Sequence, residues 1–190
     1  MQKTNIETIN IYGLKLFSLL FIGMLLAGCQ PKAIITTIDN PMDGFSEDVD
    51  SVRGANTVQD LACYLFLALQ QKISYGNLTR FIPDSSDIGK IYQLTNSPVG
   101  NANLKTNADS VRHQLQKDLL NTESESSSLH ATWTDATFTK LLIQEIEDQK
   151  LPSKKIMMQC KSNGITLLAS CKCLKIGDKW YIGEDLKFGV

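Results

Sequence analysis

Nine consecutive apolar residues, Leu61 to Leu69, stand between the polar pairs Gln59-Asp60 and Gln70-Gln71. Asn56 or Thr57 can cap a helix entering this run, and a helix with no polar face must be wrapped by other elements. The segment is far too short to span a bilayer, so it is expected as the central core helix of a domain. Short helices are predicted around Tyr75–Pro83 and from Asp84 to Tyr92. Asn96 to Asn107 reads as loop, Ala108 to Leu120 as a helix on Val111, Leu115 and Leu119, and Asn121 to Ser128 as a Ser-rich connection.

From Trp133 the period becomes two. Ile156 to Lys161 and Ile165 to Ile176 flank Asn163-Gly164, the dipeptide best suited to a type I′ hairpin turn. Gly177-Asp178 makes a second turn into Lys179-Trp180-Tyr181-Ile182, and Thr134 to Glu147 is taken as a further strand. Two-residue turns set the register, with Cys160 opposite Leu167, Met158 opposite Ala169, Ile156 opposite Cys171 and Cys173 opposite Ile182. One face then gathers Ile156, Met158, Cys160, Leu167, Ala169, Cys171, Cys173, Trp180 and Ile182. The other carries Lys155, Gln159, Lys161, Thr166, Ser170 and Lys172. The fold class that follows is α+β, with a long core helix and short helices packed on one face of a curved antiparallel sheet.

Upstream of the domain, Leu16 to Leu26 gives eleven nearly all-apolar residues behind two lysines, the length of a signal-peptide core. Leu26-Ala27-Gly28-Cys29 resembles the bacterial lipobox, which implies cleavage before Cys29 and acylation of its thiol. Residues 1–28 are then a lipoprotein signal peptide, 29–54 a lipidated N-terminus and flexible tether, and 55–190 a single domain. As a random coil the tether spans roughly 25–30 Å. Gln30 beside the acylated residue points to the outer membrane, with the periplasmic side expected.

The order of parts, with the ending Leu174-Lys175-Ile176-Gly177-Asp178-Lys179-Trp180-Tyr181-Ile182, resembles small bacterial lipoproteins with a nuclear-transport-factor-2-like, or cystatin-like, domain. That resemblance implies a cone between helix and sheet, used in the superfamily as a ligand pocket, a catalytic cavity or a dimer surface.

The 190 residues carry a formal charge of −1 and 43% apolar residues. Without the first 28, 17 basic face 19 acidic residues, so no broad field attracts phosphate chains and a nucleic-acid partner is not expected. Any membrane attachment then rests on the lipid, whose chains contribute about 0.8 kcal/mol per buried CH₂.

Candidate chemistry is sparse. No Gly-x-Ser-x-Gly, phosphate-binding glycine loop or carboxylate pair appears, and no catalytic residue or cofactor is assigned. Asp60 and Tyr64, one helical turn apart, and His130, Trp133 and Trp180 are the candidates to line a ligand pocket. A structural histidine and aromatic core packing explain the same residues. Of the cysteines beyond Cys29, Cys63 paired with Cys171 or Cys173 can tie helix to sheet, while free thiols filling the core are the alternative. Cys160 lies about 13 Å along the strand from the position opposite Cys171, too far for a bond. Cys171-Lys172-Cys173 lacks ligand-spaced partners for a metal, the two histidines being His113 and His130. Asp50-Ser51-Val52 and Asp109-Ser110-Val111 resemble a bacterial O-glycosylation acceptor. The expected function is a lipid-anchored envelope module, without enzymatic activity, binding a small apolar ligand or another envelope protein. An isomerase- or hydrolase-type enzyme using His130, or Asp60 with Tyr64, and a structural homodimer are the rival expectations.

Overall fold

The computed structural model describes residues 34–46, 53–95, 101–128, 130–147 and 150–189, with side chains omitted at 101–107, 184, 185 and 188. The architecture is α+β. A five-stranded antiparallel sheet runs in the order β1-β2-β3-β4-β5, with β1 Ile35–Asp39, β2 Thr137–Ile146, β3 Ser153–Ser162, β4 Ile165–Ile176 and β5 Lys179–Gly189. The helices are α1 Val58–Leu69, α2 Tyr75–Leu78, α3 Ser85–Thr95 and α4 Asn101–Ser128, with a 3₁₀ turn at Thr79–Phe81.

The expected register holds at all four pairs, Cys160 to Leu167, Met158 to Ala169, Ile156 to Cys171 and Cys173 to Ile182. Asn163 and Gly164 both take positive φ, 51° and 79°, as a type I′ turn demands. Gly177 at φ 64° stands first in its two-residue turn, where type II′ geometry favours glycine.

Helix α1 lies in the core. Every residue from Leu61 to Leu69 is buried, and Thr57 and Asp60 close a reciprocal capping box at its start. Tyr64 stacks on Phe81 at 4.2 Å and meets the edge of Phe45 at 5.0 Å, while Phe66 lies 5.1 Å from Phe138. These rings, with the inward residues of β2 to β5, fill the space between helix and sheet.

Two boundaries differ from the expectation. The segment assigned to the tether contains β1, whose residues pair with β2 from Ile35–Gln144 to Asp39–Lys140. Beyond it the Pro41 carbonyl accepts from Gln59 Nε2 at 2.9 Å and from Cys63 Sγ at 3.3 Å, docking residues 40–46 on α1. The domain therefore starts at Ile34, not Ala55. The second difference is α4, one 28-residue helix covering Asn101–Asn107 and Asn121–Ser128, which the sequence suggested as loop and connection. Its hydroxyls satisfy themselves inside the helix: Thr122 donates to the Asp118 carbonyl at 2.8 Å and Ser126 to that of Glu123 at 2.9 Å. Both are 1% exposed, and back-bonding leaves neither hydroxyl unpaired, while Asn121, Ser124, Ser127 and Ser128 face outward.

Candidate functional site

The residues expected to line one pocket do not converge. The Asp60 carboxylate accepts from the Thr57 N–H at 3.1 Å, which spends it on the helix cap. Tyr64 is a core ring, and Trp133 is 3% exposed within the same core. His130 is exposed at the end of α4, at φ 58°, with its carbonyl 3.5 Å from Asn163 Nδ2. Trp180 closes the far end of the sheet, where the ammonium groups of Lys154 and Lys175 stand 5.3 and 5.9 Å from its ring centre. Its backbone exchanges two hydrogen bonds with Ala55, at 2.8 and 2.9 Å, so the chain entering α1 covers that end of β5.

The four thiols of the domain are free and buried. Cys63 is directed at the Pro41 carbonyl, and the Cys63 tie to Cys171 or Cys173 is not formed. Cys171 and Cys173 bring their sulfurs to 3.9 Å of each other in the core. Burial, with the Asp60 charge adding to it, pushes the Cys63 thiol up to about 12, and burial alone does the same for Cys160. Among the described residues no group of three His, Cys, Asp or Glu is placed to hold a metal ion. Cys29 and Asp50-Ser51-Val52 lie outside the described residues, whereas Ser110 is exposed on α4.

A polar cluster that the sequence reading did not anticipate joins the chain before α1 to the start of α3. Arg53 reaches Asp84 at 2.9 Å and Asp87 at 2.8 Å, and Asp84 and Asp87 cap α3 by accepting each other's backbone N–H. Asp87 is only 3% exposed. Burial raises its carboxyl, but the Arg53 hydrogen bond, the Asp84 N–H and the charges of Arg53 and Lys90 outweigh it and leave the pKa below the ordinary value. The spacing Asp84-x-x-Asp87 was a readable cap signal; the partner at Arg53, thirty-four residues away, was not.

Among the described residues, three surface clefts offer places for a ligand. One of about 300 Å³ lies among α1, α2 and α4, lined by Ile73, Tyr75, Leu119 and Glu123. Another of about 360 Å³ lies between residues 40–43, Phe66, Gln70 and the start of β2. The third, of about 130 Å³, opens on the sheet face away from α1 and is lined by Ile146, Lys155, Ser170, Cys171, Lys172 and Lys187. None of the five sequence candidates lines any of them. Lys155, Ser170 and Lys172 were assigned to the outer face from the alternation; Lys187 was missed because β5 was expected to end at Ile182.

Compared with family models, with curated proteins and with solved structures, the chain finds no match.

Proposed function

We propose that the chain is a lipid-anchored protein of the bacterial cell envelope, held at the outer membrane with its domain on the periplasmic side and acting as a binding module. The observation that carries this reading is Leu26-Ala27-Gly28-Cys29 at the end of an eleven-residue apolar run. The start of the domain adds a geometric consequence. From Cys29 to Ile34 the chain has five steps, a reach of at most about 18 Å, so an acylated Cys29 keeps β1 close to the headgroups. Among the described residues no helix is long and apolar enough to cross a membrane, and the lipid is the attachment this reading requires.

The finer fold reading is a cystatin-like arrangement, supported by the succession of one core helix, short helices and an antiparallel meander. Its interior is packed by Tyr64, Phe66, Phe81 and Phe138, so binding is assigned to the surface clefts rather than to an inner cone.

The test is metabolic labelling with a palmitate analogue in a bacterial host, followed by membrane fractionation. Wild type is expected to carry the label in the membrane fraction, and Cys29→Ser to lose both cleavage and label. Label retained by Cys29→Ser removes the anchor.

A further inference from the structure

We propose that the cleft on the outer sheet face is a binding site for an oxyanion of the phosphate class, held by Lys155, Lys172, Lys187 and the Ser170 hydroxyl. This deepens the reading of the domain as a binding module and does not depend on the acyl anchor.

Three observations meet at this place. Lys155 and Lys172 stand directly opposite each other in the β3–β4 ladder, and Lys187 stands opposite Ser170 in the β4–β5 ladder. Like charges on facing strand positions repel, and an anion seated between them would relieve that repulsion. Lys172 and Lys187 also hold interactions within the chain, and Glu184 is the register partner of Lys172.

The second observation is backbone irregularity. The β4–β5 register shifts twice, between Ser170 and Lys172 and again between Lys172 and Cys173. Cys171, at the cleft, has no partner in that register. The extra residues stand on β5, and bulges of this kind bend a strand and recur beside binding sites. Gly183 makes the bulge feasible, because a Cβ there would stand 2.9 Å from Leu174 Cδ2 and 3.1 Å from the Lys172 carbonyl oxygen.

The third is shape and chemistry. About 130 Å³ is the room of roughly four waters in the liquid, suited to one tetrahedral oxyanion with partial hydration. Ammonium groups supply charge-assisted hydrogen bonds, Ser170 a neutral donor, and Ile146 an apolar wall. Between Thr137 and Gly189 nine lysines meet six acidic residues, so the sheet is the basic part of a chain that is acidic overall. A phosphate monoester, free phosphate and a phospholipid headgroup share this chemistry.

The experiment uses the full chain, purified in a neutral detergent and labelled with nitrogen-15. Inorganic phosphate is titrated while amide shifts are followed. The same chain is then placed in phosphatidylcholine discs with and without phosphatidylglycerol. Saturable shifts confined to residues 170–173 and 183–187 are expected. Their appearance with phosphate assigns a free oxyanion, and their appearance only with phosphatidylglycerol assigns a headgroup.

Lys155→Gln is expected to weaken binding about tenfold, the value of one hydrogen bond to a charged group. It should not lower the melting temperature, since it relieves the Lys155–Lys172 pair, and Lys161→Gln on the same face should leave affinity unchanged. No saturable shift with either probe, or equal effects of Lys155→Gln and Lys161→Gln, overturns the site. Palmitate labelling of the same preparation separates that result from failure of the anchor.

Discussion

Gly54 stands at φ +69°, a conformation L side chains rarely adopt. A Cβ there would meet Lys179 Cβ at 2.8 Å and Tyr181 Cζ at 2.9 Å, so both backbone and space demand glycine. Gly54→Ala is expected to cost about 2 kcal/mol or more, read as a lower urea midpoint at unchanged slope. Its neighbour Arg53 governs a second residue-scale effect. The Asp87 carboxyl is depressed in the folded state, so its contribution is fully present above the unfolded carboxylate value of about 3.9 and is lost as pH falls through the folded value. Asp87→Asn should therefore cost about 1–3 kcal/mol at pH 7 and progressively less below pH 4. Urea midpoints of wild type and variant measured from pH 7 to pH 2.5 check this; a gap that does not narrow in acid removes the ion pair as its cause.

At the scale of elements, legibility followed the locality of the forces. The β3–β4 hairpin was readable because Asn163-Gly164 and the two-residue alternation both act within a few residues. Helix α1 was readable because nothing but burial suits Leu61 to Leu69. Strand β1 was not, since four of its five residues are exposed and its pairing with β2 bridges some hundred positions of chain. The far ends of α4 were missed for another reason. Asn, Ser and Thr favour turns as isolated residues, and the back-bonding that turns Thr122 and Ser126 into buried helical residues exists only once the helix has formed. The candidate pocket failed similarly: Asp60 and Tyr64 share a helix face, but the cap claims one and the Phe81 stack the other. The cap itself is testable. Thr57→Ala should cost about 1 kcal/mol by removing the acceptor, at 3.0 Å, for the Asp60 N–H, and Thr57→Ser should restore most of it.

At the scale of the whole molecule, the four buried thiols report how the domain opens. Cys63 belongs to α1, Cys160 to β3, and Cys171 and Cys173 to β4, each at most 1% exposed. Alkylation needs a thiolate in contact with reagent, and burial denies both: it excludes the reagent and holds Cys63 and Cys160 up to about 12. Helix α1 and strands β3 and β4 share one apolar cluster, so exposing any one sulfur requires that cluster to separate. In the folded chain at pH 8, iodoacetamide is therefore expected to spare all four while a free cysteine peptide reacts completely, and in urea all four should react. When opening and closing are fast relative to alkylation, the rate tracks the equilibrium population of the open state. Gly54→Ala and Thr57→Ala, destabilising the same unit from different positions, should then accelerate all four sites by one common factor, tenfold for each 1.4 kcal/mol. Peptide-resolved mass spectrometry distinguishes the outcomes: a common factor means one cooperative unit, whereas Cys63 accelerating alone means that α1 leaves the sheet while β3 and β4 stay paired.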